Sequence, residues 1–284
     1  MQVTDTALAV HDLSPTIGSQ VDADVDTLLS GRFGKELRAL LEKRGVLIFP
    51  RVGFDDEQQV AFTGTLGTLA FDYNGLVMSE GKQQAIFKVS LDEAVSPTAR
   101  SLKNSLLWHL DGTTHETPIL ASVLSAKHLA PEGGETEWAN TYAAYDALSE
   151  EDKQAIDGLR VVHSNLQLQR NINPELTYEQ FQRARNSPAR SQPLVWKHRN
   201  GRKSLVVGAT AGYVEGLPHD DSLDLLVRLR DWATQPRFVY RHHWQVGDLA
   251  VWDNTGTLHR ALPYDPASGR LMHRSMVAGE ESIG

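Results

Sequence analysis

The sequence predicts a mainly β fold with flanking helices, of the double-stranded β-helix or jelly-roll class. Many short apolar runs of strand length are separated by turn residues, and only a few segments have helical spacing. There is no internal repeat and no low-complexity tract. Paired sheets of short strands are typical of this pattern, and their open mouth has room for a metal and two organic molecules. We interpret residues 1–284 as a single domain.

The N-terminal third contains two predicted helices with a buried strand between them. Apolar residues at positions 37, 40 and 41 give residues 35–44 a helical spacing. The apolar run 46–49 is closed by Pro50 and indicates a buried strand. Acidic residues at 55–57 favour the start of a second helix that ends near Gly67, because carboxylates suit the positive end of a helix dipole.

The later elements are mostly strands, interrupted by one polar stretch. In order, the sequence predicts a strand at 119–129, a turn at 131–134, a helical pair that begins at Asn140 or Thr141 and runs to about 159, a strand at 160–164, a hairpin at 193–208, a helix at 223–233, and strands at 238–244, 249–252 and 270–277. Residues 165–192 are rich in Gln, Asn, Arg and Pro, with one short helical candidate at 178–185. Such a stretch is equally consistent with an active-site lid and with a surface excursion.

A His-x-Asp triplet is the strongest chemical motif of the chain. His109 and Asp111, with His259 further along, make two imidazoles and one carboxylate, which is the set that binds non-haem Fe(II) and leaves positions open for dioxygen and a cosubstrate. The run 105–108 is apolar enough for a strand, and residues i and i+2 of a strand point to one face, so both first ligands would reach one metal. His259 is the expected third ligand because residues 252–254 end a strand and turn the chain before it.

Two arginines near the C-terminus indicate that the site binds acids. Arg270 and Arg274 have the spacing that places both on one face of a strand. Arginine binds carboxylates bidentately, so Arg270 suits the distal carboxylate of 2-oxoglutarate and Arg274 suits an anionic substrate. Thr136 adds a hydroxyl to the 2-oxoglutarate contacts. His115 is a candidate for substrate binding, with a locally hydrogen-bonded loop histidine as the alternative.

The bulk composition excludes several other kinds of site. A net charge of −8 argues against a nucleic-acid partner, which requires a basic face. The absence of cysteine excludes disulfide scaffolds, thiolate metal sites and cysteine nucleophiles. No apolar run is long enough for a transmembrane helix, so no membrane contact is expected. Residues 1–16 are acidic and polar, without a charged-then-apolar leader, and a cytoplasmic protein is therefore expected.

These motifs resemble the taurine dioxygenase and 2,4-dichlorophenoxyacetate dioxygenase family of Fe(II)/2-oxoglutarate enzymes, over nearly the whole chain. The matching runs are residues 45–49, 108–111, 131–136, 142–148, 214–218, 246–249, 252–254, 259–260 and 270–274. The resemblance implies that His109, Asp111 and His259 hold Fe(II). It also implies that Thr136 and Arg270 contact 2-oxoglutarate, that Arg274 meets the acid group of the substrate, and that the protein is a homo-oligomer.

Several of the runs are closer to the aryloxyacetate branch of that family than to the taurine branch. Sulfonate members carry a histidine after the Phe-Gly turn of the N-terminal third, and residues 66–73 contain none here. The resemblance therefore implies a dioxygenase that uses Fe(II), 2-oxoglutarate and dioxygen to hydroxylate a small aryloxyalkanoate-like acid, releasing succinate and carbon dioxide. The alternatives are a sulfonate or alkyl sulfate dioxygenase, an amino-acid or natural-product hydroxylase, and a metal-binding jelly-roll protein without enzymatic activity.

Overall fold

The protein is described from a computed structural model that covers residues 8–71, 78–79, 82–83, 85–96, 99 and 101–284. Within these residues the strands are β1 Ala9–Asp12, β2 Ser19–Asp22, β3 Val46–Phe49, β4 Met78–Ser79, β5 Lys82–Gln83, β6 Phe87–Val89, β7 Ala121–His128, β8 Thr136–Asn140, β9 Arg160–Ser164, β10 Ala189–Pro193, β11 Val195–Lys197, β12 Lys203–Leu205, β13 Ala211–Val214, β14 Val239–His242, β15 Leu249–Asp253, β16 Thr257–Ala261 and β17 Leu271–Val277.

The helices of the same residues are α1 Val25–Leu29, α2 Gly34–Arg44, α3 Asp56–Leu66, α4 Thr141–Asp146, α5 Glu150–Ile156, α6 Asn165–Ile172, α7 Tyr178–Arg185 and α8 His219–Ala233, with 3₁₀ turns at Ser101–Leu106, Pro236–Phe238 and Pro266–Ser268. This is a mixed α/β fold with several sheets, so helices make up more of the protein than the predicted mainly β class implies. In the described part of the chain, no helix combines the length and the apolar character needed to cross a membrane.

Two sheets form the framework of the fold, and their strand pairs are antiparallel except for the parallel pair of β2 and β3. The larger sheet has seven strands in the order β1-β2-β3-β15-β7-β17-β6, and the smaller has three in the order β14-β8-β16. In the larger sheet, β15 pairs antiparallel with both β3 and β7. In the smaller sheet, β8 is the central strand and pairs antiparallel with β14 and β16.

Alternation of side chains along β3 shows how the larger sheet is buried on both faces. Val46 and Ile48 pack in an apolar cluster with Trp138 of β8, whereas Leu47 and Phe49 pack with α2 and α3. Adjacent strand residues point to opposite faces, so one strand supplies two cores. The cluster around Trp138 joins the two sheets, and the helices cover the outer face of the larger one.

The smaller sheet is covered in the same way on its outer side. Ala139 of β8 and Leu258 of β16 pack in a cluster that includes residues of α4 and α8 and the indole of Trp108. The residues next to them in sequence, Trp138 and His259, point to the opposite, inner side. The space between the two sheets is therefore the place where inward-facing polar residues of β16 and β17 can meet.

Most predicted elements are present; the helix at 141 has one of the two caps expected for it, and the helix at 56 has a cap in addition to the expected acidic first turn. The side chain of Asp55 accepts from Gln58 N in a capping box, and Asn140 accepts from Ala143 N. Strand β17 lacks Arg270, which precedes it, and a register shift lies between Leu271 and Met272. The regular strand alternation predicted for 270–274 is therefore interrupted.

The predicted strand at 105–108 is wrong. A 3₁₀ turn spans Ser101–Leu106, and after it His109 forms only an isolated bridge with His259. Ser105 Oγ donates to Leu102 O at 2.6 Å, and Leu107 N donates to Asn104 O at 3.0 Å. These local bonds satisfy the backbone in a turn, in competition with the ladder bonds of a strand.

The polar stretch 165–192 has more regular structure than the sequence predicts. The expected helix 178–185 is present as α7, but α6 and β10 were not predicted. Ser164 caps α6 by accepting from Gln167 N, and β10 pairs antiparallel with β9. The N-terminal residues 1–7 and residues 72–73 of the histidine-free stretch lie outside the described residues.

Candidate active site

The two histidines and the aspartate of the motif come together at one point between the sheets. One ligand atom from each of His109, Asp111 and His259 can be chosen so that all three lie within 4.8 Å of one another. His109 Nε2 is 3.7 Å from Asp111 Oδ1, and His259 Nε2 is 3.6 Å from Asp111 Oδ2. Bonds from a divalent metal to such atoms are about 2.0–2.2 Å long, so these separations fit one shared cation.

Different local structures carry the members of this triad. His259 lies on β16, opposite Trp138 of β8, and its ring centroid is 4.9 Å from that of Trp252. His109 and Asp111 lie in an irregular segment that is joined to β16 by two backbone bonds, His109 N to His259 O at 3.1 Å and His259 N to His109 O at 2.9 Å. The two imidazoles are thereby held with ring centroids 4.1 Å apart.

The hydrogen bonds of His109 select the tautomer that a metal site requires. His109 Nδ1 lies 2.7 Å from Leu107 O, and a carbonyl only accepts, so Nδ1 carries the proton and Nε2 is free to coordinate. Burial lowers the pKa of His259 well below its usual value, and the neighbouring His109 lowers it further. His259 is therefore suited to bind a metal in its neutral form, and the His109 ring is oriented to offer Nε2.

Asp111 is held as a carboxylate by its neighbours. Burial by itself raises the pKa of Asp111, but Arg274, His259 and His109 outweigh burial, and the pKa lies below its usual value. Arg274 Nη2 donates to Asp111 Oδ2 and, at 2.8 Å, to Ser122 Oγ. An ionised, oriented carboxylate beside two neutral imidazoles is the donor set of a facial triad, so the residues present fit Fe(II).

A second chain of hydrogen bonds extends from Arg274 to the Trp-Asp-Asn motif. Ser122 Oγ accepts from Asn254 Nδ2 at 2.9 Å, and Asn254 Oδ1 accepts from Trp252 Nε1 at 2.8 Å. From the sequence, residues 252–254 were interpreted only as a turn before His259. The structure adds that Asn254 and Ser122 position Arg274, and through it the carboxylate of Asp111.

Arg270 is a buried cation with an unused donor. Only 3% of the residue is exposed, Nη2 donates to Gly134 O at 2.9 Å, and the guanidinium lies 4.7 Å from the ring centroid of Tyr264. Its Nε is buried without a hydrogen-bond partner among the described residues. Burial lowers the pKa of Arg270, but a guanidinium stays charged in proteins. A carboxylate bound here would satisfy both the charge and the free donor.

The turn at 131–134 is shaped to leave room for Arg270. Gly134 has φ +78, and a Cβ added there would lie 2.7 Å from Arg270 Nε. Only glycine combines this backbone conformation with so close an approach. Thr136 follows at the start of β8, is buried, and accepts from Trp244 Nε1 at 2.9 Å through its hydroxyl.

One cavity of about 950 Å³ joins these groups. The triad, Thr136, Arg270 and Arg274 all line it, together with Arg260 and Tyr264. Its apolar wall includes Val60, Ala61, Ile86, Phe87, Val89 and Leu102. The volume and the mixture of an apolar wall with a few convergent polar groups are typical of a small-molecule site.

Two sequence-based expectations do not coincide with this cavity. His115 is not among its lining residues in the described part of the chain; its backbone N donates to Gly112 O at 2.8 Å and its backbone O accepts from Gln192 Nε2 at 2.8 Å. Its role in substrate binding therefore stays a prediction without geometric support. Residues 165–192 also contribute nothing to the cavity wall as described, so the lid at 165–192 stays a prediction too.

The sequence did not identify several residues that line or support the site. Arg260 and Tyr264 line the cavity, and Gln192 bonds to the loop that follows Asp111. Arg260 was noticed only as the neighbour of His259 in a matching motif. No spacing pattern indicated the other two, because their contacts are to residues distant in sequence.

Known proteins are similar to this chain over nearly its whole length. An alpha-ketoglutarate-dependent 2,4-dichlorophenoxyacetate dioxygenase of Burkholderia sp. (strain RASC) is 36% identical over 282 residues, covering 94% of this chain and 93% of that protein. An (S)-phenoxypropionate/alpha-ketoglutarate-dioxygenase of Sphingobium herbicidovorans is 32% identical over 279 residues, covering 96% of each.

A solved structure is similar to this chain in fold over nearly its whole length. The crystal structure of AAD-2 in complex with Mn(II) and N-oxalylglycine superposes with a TM-score of 0.83 at 32% identity, covering 98% of this chain and 100% of that one. The family model described as taurine catabolism dioxygenase TauD, TfdA family, matches residues 9–276. With the triad geometry described above, these similarities show that the chain belongs to the TauD, TfdA family and is an alpha-ketoglutarate-dependent dioxygenase.

Proposed function

We propose that this enzyme hydroxylates a small aryloxyalkanoate-like carboxylic acid, at a carbon next to the ether oxygen. The observation that carries the proposal is the cavity in which the candidate metal triad, the buried Arg270, the partly exposed Arg274 and an apolar wall meet. Relatives over 30% identical bear the names of dioxygenases for 2,4-dichlorophenoxyacetate and phenoxypropionate. A product hydroxylated beside an ether oxygen is a hemiacetal, which breaks down without further catalysis.

His109, Asp111 and His259 are the residues that would hold Fe(II). Fe(II) and 2-oxoglutarate supply the oxidising chemistry with dioxygen, giving succinate and carbon dioxide. The part of the protein is to keep the imidazole of His259 neutral and the carboxylate of Asp111 ionised, which burial of His259 and the Arg274 contact to Asp111 accomplish. The bond from His109 Nδ1 to Leu107 O fixes the orientation of that ring.

Arg270 and Thr136 would bind the distal carboxylate of 2-oxoglutarate. Arg270 has a buried Nε donor without a partner among the described residues, and the Thr136 hydroxyl lies in the same cavity. The ring of Tyr264 lies against the guanidinium and limits its access to water. A carboxylate in this dry pocket is bound more strongly than one in water.

The substrate would occupy the remaining, mainly apolar part of the cavity. Side chains such as Ile86, Phe87 and Leu102 suit an aromatic body, and Arg274 would meet its acid group, as the resemblance implies. The position of the acid group then decides which C–H bond faces the iron. Binding and orientation of that bond are the contribution of the protein to the rate.

The architecture that we infer is the double-stranded β-helix, with the site in its mouth. The seven-stranded and three-stranded sheets pack against each other through the cluster at Trp138, and the cavity opens between β16 and β17. The TM-score of 0.83 with AAD-2 supports the same inference. Residues 1–284 would then form one catalytic domain.

A substrate panel tests the proposed function. Aryloxyacetates, aryloxypropionates, taurine, alkyl sulfates and N-substituted amino acids are assayed for substrate-stimulated release of succinate in the presence of Fe(II) and 2-oxoglutarate. We expect aryloxyalkanoates to give the highest kcat/KM. Preference for taurine or an alkyl sulfate over every carboxylate would contradict the proposal, and preference for an amino acid would make the protein a tailoring hydroxylase.

A further inference from the structure

The hydroxyl of Thr136 has one hydrogen-bond partner among the described residues, and that partner is a donor. Trp244 Nε1 donates to Thr136 Oγ1 at 2.9 Å. An indole nitrogen donates but does not accept, so the direction of this bond is fixed. A threonine hydroxyl has a single hydrogen, and because the bond from Trp244 does not use it, this hydrogen is available to a second group.

The hydroxyl of Thr136 lies between Trp244 and the cavity of the triad. Thr136 and Trp138 are two residues apart on β8, so both side chains point to the inner side of the smaller sheet. Thr136 is 5% exposed and lines the cavity, as Arg270 does, whereas Trp244 is not among the described lining residues. The indole of Trp244 therefore occupies one side of the hydroxyl and leaves the cavity side open.

The turn between β14 and β15 holds Trp244 in this position. The buried carboxylate of Asp248 accepts from His242 Nε2 at 2.9 Å, from Gln245 N at 2.8 Å and from Arg51 N at 2.9 Å. The first two of these bonds close the turn on both sides of Trp244. The ring of His242 lies edge-on to the indole, with centroids 4.7 Å apart. The donor is thus oriented before any ligand binds.

An oriented hydroxyl is a better partner for an anion than a freely rotating one. Without a donor at Oγ1, the hydroxyl of Thr136 could turn a lone pair toward a carboxylate as readily as its hydrogen, and a lone pair repels an anion. The N–H of Trp244 occupies one lone pair and so favours rotamers that direct the hydrogen into the cavity. Arg270 would supply the charge to the same carboxylate, and Thr136 would supply a neutral donor.

We propose that Trp244 is a positioning residue for 2-oxoglutarate: its indole N–H binds the Thr136 hydroxyl and thereby directs the hydroxyl hydrogen to the distal carboxylate. The inference rests on the proposed function, which assigns that carboxylate to Arg270 and Thr136. Trp244 acts through Thr136 and does not itself touch the cosubstrate.

The matched pair Trp244→Phe and Trp232→Phe tests the proposal, because each variant removes one indole N–H and keeps an aromatic ring. Trp232 is also partly buried, and its Nε1 donates to Ala144 O at 2.8 Å, in the cluster that covers the outer side of the smaller sheet. Isothermal titration of the Fe(II)-loaded proteins without oxygen measures the affinity for two acids. One is 2-oxoglutarate, and the other is 2-oxopentanoate, which has a methyl group in place of the distal carboxylate.

We expect Trp244→Phe to weaken the binding of 2-oxoglutarate about three- to tenfold, as the loss of one neutral hydrogen bond predicts. Its affinity for 2-oxopentanoate should equal that of the wild type, and Trp232→Phe should change neither affinity. A structural defect of the pocket would instead weaken both acids. An unchanged affinity for 2-oxoglutarate in Trp244→Phe, or an equal loss for both acids, would overturn the assignment of Trp244 alone.

A second pair of variants shows whether Trp244 acts through the hydroxyl. Thr136→Val removes the hydroxyl and keeps the shape of the side chain, so Trp244→Phe should cause no further loss of 2-oxoglutarate affinity in that background. Losses that multiply in the double variant would contradict the proposal. A wild type that binds 2-oxopentanoate as tightly as 2-oxoglutarate would instead overturn the assignment of the distal carboxylate to Arg270 and Thr136 in the proposed function.

Discussion

The two halves of the metal site are built by different kinds of structure. His259 lies on a regular strand, between the β8 ladder and the ring of Trp252. His109 and Asp111 lie in a segment that follows a 3₁₀ turn and shares only one isolated bridge with β16. The sheet itself positions His259, whereas the segment of His109 and Asp111 is held by two backbone bonds to His259 and by side-chain bonds from other elements.

Those supporting bonds converge on the loop that follows Asp111. Thr113 Oγ1 lies 2.8 Å from Thr210 Oγ1, which in turn lies 2.8 Å from Nδ1 of the buried His163. Gln192 Nε2 donates to Thr113 O at 3.0 Å and to His115 O at 2.8 Å. The stretch 165–192 therefore ends in a support of the metal-binding loop.

Thr136 begins β8 and Arg270 directly precedes β17, and loss of this proposed 2-oxoglutarate contact at Arg270 should give the larger of two effects. Arg270→Ala is expected to raise the apparent KM for 2-oxoglutarate on the order of 10- to 100-fold, because a buried carboxylate loses a charge-assisted partner. Arg270→Lys, which keeps the charge but not the planar fork, should give a smaller rise. Titration of 2-oxoglutarate with succinate as the readout measures both, and an unchanged dependence in Arg270→Ala would show that another residue binds that carboxylate.

A variant that weakens the support of the loop after Asp111 should lower Fe(II) affinity, by a smaller factor than Arg270→Ala raises the KM for 2-oxoglutarate. Gln192→Ala leaves two backbone carbonyls without their donor, which costs about 1–3 kcal/mol of stability, and it should weaken Fe(II) binding a few-fold. Gln59 provides a matched control. It is equally buried and donates to Val123 O and His273 O, but it lies on α3, on the other side of the larger sheet.

Gln59→Ala should therefore lower stability to a similar extent without changing Fe(II) affinity. Thermal unfolding and a titration with Fe(II) under anaerobic conditions distinguish the two variants. If both variants lower Fe(II) affinity equally, the effect of Gln192→Ala reflects a general loss of stability and not support of the loop.

Motifs of residue type and order, rather than strand patterns, were what the sequence could predict of the site. His259 and Thr136 lie on β16 and β8, which were not predicted as strands, and Arg270 precedes β17 beside a register shift. The 3₁₀ turn at Ser101–Leu106 was missed because its apolar residues fit a strand, while the bond from Ser105 Oγ to Leu102 O favours a turn.

Contacts between residues far apart in sequence that no motif connects could not be predicted. Glu137 and Arg260 are separated by a long stretch of chain, and only the pairing of β8 with β16 brings them together. Helix α6 was not predicted because Leu166 and Leu168 alternate with polar residues, and this period suits a strand better than a helix. The helix begins at a cap that the pattern did not show, in which the Ser164 side chain accepts from Gln167 N.

The central claim is that both halves meet at one Fe(II) that drives oxidation coupled to 2-oxoglutarate. It is tested most directly by succinate release from the wild type and from His109→Ala, Asp111→Ala and His259→Ala, with an aryloxyacetate, at saturating Fe(II). The account predicts release that requires both Fe(II) and 2-oxoglutarate in the wild type and is lost in all three variants, with the folds retained by circular dichroism. Near-native release from any one of the three variants would contradict it.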